Sequence, residues 1–215
     1  MPTPLHLEGG TVLSNGKGLT LLSSNVIDSN RGYGFDDRAI DREMRRITGA
    51  KTLATFQPLI GEKTGHIDLF MTFTDERTVV VGEYRDTQNP NHRLLNEHAK
   101  TLSQLSGAEK LRVVRIPMPE QMGQVFRTYT NVIYANGVLL VPSFSDTMDA
   151  EALEIFQNLL PNWRIEFIDC SEISTKGGAL HCLVSNLGNT PYTPMPIRIR
   201  AKATDHRHHR PDRAE

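Results

Sequence analysis

Three turn signals recur along this 215-residue chain at a spacing of about 60 residues, and this periodicity constrains the fold more than any other feature. The turns begin near Asn15, Asp75 and Asn136, and each lies between two short runs of apolar and β-branched residues. Two such runs around a short polar turn are typical of a β-hairpin. An internal repeat of this length predicts a chain built from copies of one supersecondary unit.

Each predicted hairpin is followed by an amphipathic helix and then by a third β-prone run. Apolar residues recur at helical spacing, with capping or helix-stopping residues at both ends. The repeating unit is therefore strand, strand, helix, strand, and the fold class is α/β. The helical segments are 36–49, 94–107 and 145–161, and the β-prone runs are 52–56, 111–116 and 163–168.

The repeat predicts a single domain over residues 1–190, followed by a poorly ordered tail at 191–215 that is rich in proline and histidine. A partial fourth unit is expected at 171–190, with its first strand at 177–185 and a turn at Asn186 and Gly188. The three full ββαβ units are placed at about 8–60, 61–118 and 119–170.

The charge balance and the cysteine count exclude several classes of protein. The 24 Lys and Arg residues nearly cancel the 25 Asp and Glu residues, so nucleic acid is not expected as a main partner. The amino-terminal residues show no signal-peptide pattern, and no apolar run is long enough for a membrane span. Two cysteines, Cys170 and Cys182, cannot form a disulfide scaffold. We expect a soluble protein of the cytoplasm.

Polar residues that could carry chemistry occupy the first predicted strand of successive units. His66 and Asp68 would share one face of a strand at 65–71, because alternate residues of a strand point the same way. Asn131 and Cys182 occupy the corresponding positions further along the chain. In a cyclic array these side chains would converge at the centre. Taken singly, they could equally be an exposed polar face, a strand-end hydrogen bonder and a buried thiol.

The same strand alternation predicts the orientation of two further residues. His181 is adjacent to Cys182, so it should point away from the thiol and pack behind the site. Cys170 ends a different strand and is expected to be structural. The base for Cys182 would then be His66.

Three motifs resemble one family: Gly-Gly-x-x-His-Cys at 177–182, Gly-His-x-Asp at 65–68 and Glu-Gly-Gly at 8–10. The chain resembles the agmatine deiminases and bacterial peptidylarginine deiminases, which are guanidine-modifying enzymes of the pentein fold. That fold arranges five strand-strand-helix-strand modules around a central site. The resemblance implies an incomplete pentein-type α/β propeller.

The resemblance also assigns roles to individual residues. It implies that Cys182 is the nucleophile, that His66 is the general acid and base, and that Asp68 binds the substrate guanidinium. Asn131 and Glu8 would contact the substrate. The implied reaction is hydrolytic deimination through a cysteine thiouronium intermediate, either of agmatine to N-carbamoylputrescine or of an arginine residue to citrulline. No metal and no organic cofactor are implied, and the partner is a small or peptidyl guanidine.

The chain departs from the family pattern in one respect, which leaves alternatives open. Family members have a further aspartate in a module that precedes the Glu-Gly-Gly strand, and this sequence begins just before that strand. The chain could be truncated or mis-started, or the missing module could be supplied by a complementing amino-terminal fragment or by a homo-oligomer. Glu8, Asp36 or Asp37 could replace the aspartate. The chain could also be a catalytically impaired binding or assembly module. A zinc site formed by His66, Asp68 and Cys182 is a further alternative.

Overall fold

A computed structural model describes residues 3–105, 110–145 and 147–185, which form three separate three-stranded sheets. In each sheet an antiparallel hairpin is extended by a parallel third strand. The strands are β1 (Val12–Ser14), β2 (Leu19–Ser23), β3 (Thr52–Phe56), β4 (Met71–Phe73), β5 (Thr78–Glu83), β6 (Arg112–Pro117), β7 (Ile133–Ala135), β8 (Val138–Ser143) and β9 (Arg164–Asp169).

The helices connect the second and third strands of each sheet. The three predicted helices are confirmed as α2, α3 and α4, and α1 is an additional helix in the first unit. No helix within the described ranges is long and apolar enough to cross a membrane. The helices are α1 (Ser24–Gly32), α2 (Asp37–Thr48), α3 (Pro90–Gln104) and α4 (Asp149–Leu159), and short 3-10 helices lie at Gly9–Thr11, Ile67–Leu69, Ile173–Lys176 and His181–Leu183.

The boundaries of α2 follow the capping residues that the sequence contains. The Asp36 carboxylate accepts a hydrogen bond from the main-chain N–H of Ala39 at 2.7 Å, which satisfies one of the free donors at the helix start. The helix ends at Gly49, whose φ of 70° lies in the left-handed region. Of the other predicted end signals, Gly107 and Asp146 lie outside the described residues.

Helix α1 was not predicted, because its sequence is mostly polar and shows no apolar stripe. The side chain of Ser23 caps its first turn. Its buried Asn30 is held by the main chain of His6, which donates to Oδ1 at 2.9 Å and accepts from Nδ2 at 2.9 Å. Nδ2 also donates to the main-chain oxygen of Val26 at 2.8 Å. The helix therefore depends on tertiary hydrogen bonds that a local pattern does not reveal.

Neighbouring sheets are joined by shared apolar cores. One core combines Leu21 of β2, Val81 of β5 and Leu95 of α3. Another combines Val80 of β5 with Val141 of β8. Since Val80 and Val81 are adjacent on β5, their side chains serve opposite faces of the middle sheet. A third cluster consists of Leu5, Leu22, Val26, Ile40 and Met44.

Two of the predicted first strands, at 65–71 and at 177–185, differ from the structure: one is shorter and the other is absent. The segment expected to be a strand at 65–71 forms a 3-10 helix at Ile67–Leu69, and β4 begins only at Met71. The predicted strand at 177–185 is absent, and a 3-10 helix occupies His181–Leu183. The tail at 191–215 and the turn at Asn186 and Gly188 lie outside the described residues.

Local hydrogen bonds explain why these segments do not extend into strands. The main-chain N–H of Phe70 donates to the oxygen of Ile67 at 3.1 Å, and that of Leu183 donates to the oxygen of Leu180 at 3.1 Å. These bonds span three residues, so the main-chain groups are satisfied without a neighbouring strand. A 3-10 helix turns its side chains by about 120° per residue, which removes the strict alternation assumed from sequence.

The capping bond at Asp36 gives a direct test of the predicted start of α2. We expect Asp36→Ala to lower the free energy of unfolding by about 1 kcal/mol, because the N–H of Ala39 loses its acceptor. Asp36→Asn is the matched control, since its amide oxygen can still accept that hydrogen bond. Urea unfolding of both variants measures the difference. Equal losses in the two variants would contradict a capping role.

Candidate active site

His66 immediately precedes the 3-10 helix at Ile67–Leu69, and its ring contacts Glu8 and Gly10. Its Nε2 lies 2.7 Å from Oε2 of Glu8, which comes from the first unit. The residue before it, Gly65, has a φ of 69° and donates its N–H to the Glu62 carboxylate at 2.6 Å. A Cβ atom added to Gly10 would lie 2.6 Å from Cγ of His66. The imidazole is thus packed closely against a glycine of the Glu-Gly-Gly motif.

Asp68 is buried, with 3% of its surface exposed, and its two carboxylate oxygens differ. Oδ2 lies 2.6 Å from Nδ1 of His181. Oδ1 is buried and has no hydrogen-bond partner among the described residues. The main-chain oxygen of Asp68 accepts a hydrogen bond from Oγ1 of Thr130 at 3.0 Å, which connects this turn to the third unit. One oxygen of the carboxylate is therefore available to a donor other than those that residues 3–105, 110–145 and 147–185 supply.

Asn131 connects the third unit to the segment that carries the thiol. It is completely buried, and its Oδ1 accepts a hydrogen bond from the main-chain N–H of His181 at 2.9 Å. Its Nδ2 donates to Sγ of Cys182 across 3.7 Å. Cys182 itself is exposed. The amide therefore fixes the turn at 181–183 and contacts the sulfur at the same time.

The electrostatics favour a charged pair between His66 and Cys182. A hydrogen bond to Cys182, followed by the contacts with Glu8 and Asp68, raises the pKa of His66 to about 9 despite partial burial. The same hydrogen bond to His66 lowers the pKa of the Cys182 thiol, with smaller help from the main chain at Ala179 and from Asn131. Each group therefore stabilises the charged form of the other, and the pair tends to an imidazolium and a thiolate.

His181 does not point away from the site, so the orientation predicted from strand alternation is wrong. Its ring reaches Asp68, and the hydrogen bond to that carboxylate is the main reason why the pKa of His181 is raised. The nearby His66 opposes this shift. The physical reason for the error is the 3-10 geometry at 181–183, in which successive side chains are not placed on opposite faces.

The charges of the site favour a cation. The carboxylates of Glu8 and Asp68 and the thiolate of Cys182 are negative, whereas His66 and His181 are positive when protonated. When Cys182 is a thiolate, these three anionic groups outnumber the two rings even if both rings are protonated. A positively charged group is therefore attracted to this site.

Other residues considered from sequence lie in structural positions. Asp36 caps α2, and Asp37 pairs with Arg31 at 2.7 Å, so neither carboxylate is available as a replacement aspartate. Cys170 is buried in the apolar core of the third unit, where burial raises its thiol pKa. Its burial agrees with the structural role expected for it.

The zinc alternative has no support in the part of the chain that the structure describes. No group of three or more His, Cys, Asp or Glu side chains in residues 3–105, 110–145 and 147–185 is arranged to hold a metal ion. Although His66, Asp68 and Cys182 are close together, they do not form such a group.

Glu8 also lines a small polar cavity of about 50 Å³. Most of its lining is polar, from His6, Thr11, Asn25, Ser29 and Thr64. A space of this size holds a few water molecules. It is too small to be the binding pocket for a guanidine substrate.

Comparison with known proteins decides the family. The family model of the Porphyromonas-type peptidyl-arginine deiminases matches residues 1–187. The chain belongs to this family. Among its relatives, agmatine deiminase of Pseudomonas fluorescens is 25% identical and aligns with 90% of the chain. The chain spans between 55% and 60% of the length of the curated relatives it matches.

Solved structures of family members share the fold. A protein from Porphyromonas gingivalis superimposes with a TM-score of 0.76 and is 30% identical, with 83% of this chain and 56% of that chain covered. C. jejuni agmatine deiminase gives a TM-score of 0.75 at 25% identity, with 84% and 55% covered. The resemblance inferred from the three sequence motifs is confirmed at the level of the family and of the mixed α/β fold.

The site also contains residues that sequence reasoning did not assign. The contact of Thr130 with Asp68 carries no motif signal and could not have been found from sequence alone. Gly10 could have been found, because a glycine beside a candidate site residue often marks a close approach of another group. Here that group is the ring of His66.

The close approach of His66 to Gly10 gives a testable prediction, for which the adjacent Gly9 provides a control. In Gly10→Ala the new Cβ would press on His66 and lie 3.0 Å from Oδ1 of Asp68, so the ring must shift from the position in which it interacts with Cys182. We expect the thiol pKa to rise toward its ordinary value of about 8.5. The rate of Cys182 alkylation by iodoacetamide, measured against pH with peptide mass spectrometry, reports this pKa.

Gly9→Ala is the control, because a Cβ added at Gly9 meets no atom within 4 Å. We expect its alkylation profile to match that of the unmodified protein. Identical profiles for both glycine variants would show that the packing of Gly10 against His66 does not set the state of the thiol.

Proposed function

We propose that this chain carries the nucleophile, the acid and base, and the guanidinium-binding carboxylate of a hydrolytic deiminase. The observation that supports this most directly is that the turns carrying His66, Asp68 and Cys182 meet, through the 2.6 Å contact of His181 with Asp68 and the 3.7 Å contact of Asn131 with the sulfur. There Cys182 raises the pKa of His66 to about 9, and His66 lowers the pKa of the thiol. An activated thiol beside an imidazolium is suited to nucleophilic attack, and the anionic surroundings suit a cationic substrate.

The substrate would bind through its guanidinium, which stays cationic at neutral pH because its pKa exceeds about 12. The free Oδ1 of Asp68 is an acceptor for one of its N–H groups. Asn131 would keep the sulfur in place, and Glu8 would hold His66 and contribute negative charge near the substrate. The central guanidinium carbon then faces the thiolate of Cys182.

The first half-reaction replaces one nitrogen of the substrate by sulfur. The thiolate of Cys182 adds to the guanidinium carbon and forms a tetrahedral adduct. The imidazolium of His66 donates its proton to the departing nitrogen, so ammonia leaves and an S-alkylthiouronium remains on Cys182.

The second half-reaction restores the enzyme. His66, now neutral, takes a proton from water, and the resulting hydroxide attacks the thiouronium carbon. The carbon–sulfur bond breaks and the thiolate of Cys182 returns. The hydroxyl group of the adduct loses its proton, which converts the released ammonia to ammonium, and the ureido product leaves. The overall change is guanidinium and water to ureido product and ammonium.

Two substrates are compatible with this chemistry. The family description names peptidyl-arginine, and relatives such as that of Pseudomonas fluorescens are named agmatine deiminase. C. jejuni agmatine deiminase has also been solved as a cysteine-to-serine variant with substrate bound. For this chain we propose agmatine conversion to N-carbamoylputrescine or conversion of an arginine residue to citrulline.

The arrangement of the whole protein is part of the proposal. We propose that the three sheets are blades of an incomplete pentein-type propeller, with units near 8–60, 61–118 and 119–170 in a domain at 1–190. A complementing amino-terminal fragment or a second copy would supply further blades. We place the protein in the cytoplasm, since two cysteines and no disulfide scaffold suit a reducing compartment.

A binding or assembly module remains the second candidate, motivated by the share of its relatives' length that the chain spans. The activated thiol favours the enzyme, because a purely structural module has no need for a pair of opposite charges on Cys182 and His66.

The primary test is an assay for ureido product with agmatine, arginine and arginyl peptides. We expect at least one of them to be converted, and we expect Cys182→Ala to lower the rate by about three orders of magnitude or more. Cys170→Ala is the matched control, because that thiol is buried in the core, and it should retain activity. No conversion of any substrate, or equal activity of the two variants, would contradict the proposal.

The pH dependence of turnover follows from the charged pair. His66 must be protonated to donate to the leaving nitrogen, so kcat/KM should fall as pH rises past about 9. On the acid side kcat/KM should fall as the thiolate becomes protonated, with a midpoint below the ordinary thiol value. The two groups titrate as a coupled pair. A kcat/KM that still increases about one unit above the alkaline midpoint would exclude His66 as the acid.

A further inference from the structure

The two oxygens of the Asp68 carboxylate differ in hydrogen bonding, because His181 contacts only one of them. Nδ1 of His181 lies 2.6 Å from Oδ2, whereas Oδ1 is buried without a partner among the described residues. A buried charged oxygen without a hydrogen bond is costly. Such an atom within a candidate site indicates that a ligand completes its hydrogen bonding.

Hydrogen bonds to the third unit fix the positions of both His181 and Asp68. The main-chain N–H of His181 donates to Oδ1 of Asn131 at 2.9 Å, which sets the position of the residue. The main-chain oxygen of Asp68 accepts from Thr130 at 3.0 Å. Thr130 and Asn131 are consecutive, so one buried segment of the third unit holds the carboxylate and the imidazole in register. The contact is part of the built site and does not depend on a flexible surface side chain.

We propose that His181 is a positioning residue: its Nδ1–H holds Oδ2 of Asp68 so that Oδ1 is presented to the substrate guanidinium. This inference rests on the proposed function and deepens it. His181 does not touch the reacting carbon in this scheme, and it acts through Asp68 alone. Without it, the carboxylate can rotate about its χ2 angle, and both oxygens lose their fixed direction toward the substrate.

The charged groups around His181 agree with this role. Asp68 faces the ring and favours its protonated form, whereas His66 opposes it across the site. The thiol of Cys182 is on the neighbouring residue. A proton on Nδ1 is required for the contact in either charge state of the ring, because a carboxylate oxygen can only accept.

Three substitutions separate the hydrogen bond from the bulk of the ring. The amide nitrogen of asparagine can occupy the place of Nδ1, so we expect His181→Asn to keep KM within about threefold. Glutamine places its amide near the position of Nε2, and alanine has no donor. For His181→Gln and His181→Ala we expect KM to rise about tenfold or more while kcat changes less, because the lost contact acts on substrate binding.

Two further measurements distinguish the loss of this hydrogen bond from a general disturbance of the structure. Alkylation of Cys182 by iodoacetamide should keep its pH profile in all three variants, since His66 and not His181 sets the thiol state. NMR titration of the His181 ring in the unmodified protein and in Asp68→Asn tests the contact without any substrate. We expect the pKa of His181 to fall in Asp68→Asn.

The outcomes are distinguishable. An unchanged KM in His181→Ala and His181→Gln, or an equal loss in all three variants, would overturn the positioning role, and so would a His181 pKa that is insensitive to Asp68→Asn. If the unmodified protein converts no guanidine substrate, the proposed function fails, and with it the substrate part of this inference. The NMR titration would then still decide whether His181 holds Asp68.

Discussion

The hydrogen bond between His181 and Asp68 joins two short turns that are 113 residues apart in the chain, and the site exists only because these turns meet. One turn carries His66 and Asp68, and the other carries Cys182. Neither turn is a strand, so no sheet ladder holds them in place. Their positions come from side chains of the intervening unit, where Thr130 bonds the first turn and Asn131 bonds the second. These buried polar contacts act together with apolar packing, since Ile67 and Leu69 of the first turn and Leu180 beside the second lie in the apolar cores.

The same arrangement accounts for the charge state of the site. His66 is surrounded by Glu8, Asp68 and the thiol of Cys182, each of which favours its protonated form. The protonated ring in turn favours the thiolate. In the proposed function the thiol of Cys182 would therefore be activated before substrate binds, and the carboxylates of Glu8 and Asp68 would attract a cation. A neutral or anionic substrate would not benefit from this field.

The sequence was sufficient for the repeated hairpins and three helices, because turn residues, caps and apolar spacing are local signals. It was insufficient for α1, which is stabilised by the buried amide of Asn30 and not by an apolar stripe. Motifs identified the residues that converge, but the strand geometry expected around them was wrong. Strand alternation was assumed at 66–68 and at 181–182, where 3-10 turns occur. This assumption placed His181 behind the site, although its ring contacts Asp68.

The central claim is that His66 lowers the pKa of the Cys182 thiol and so favours its thiolate form. The most direct measurement is the ultraviolet absorbance of the thiolate, titrated against pH as the difference between the unmodified protein and a Cys182→Ser variant. The account predicts a thiolate signal already present at neutral pH that is lost in His66→Ala. A signal that appears only above about pH 8.5, the ordinary range of a cysteine thiol, and that does not respond to His66→Ala would contradict it.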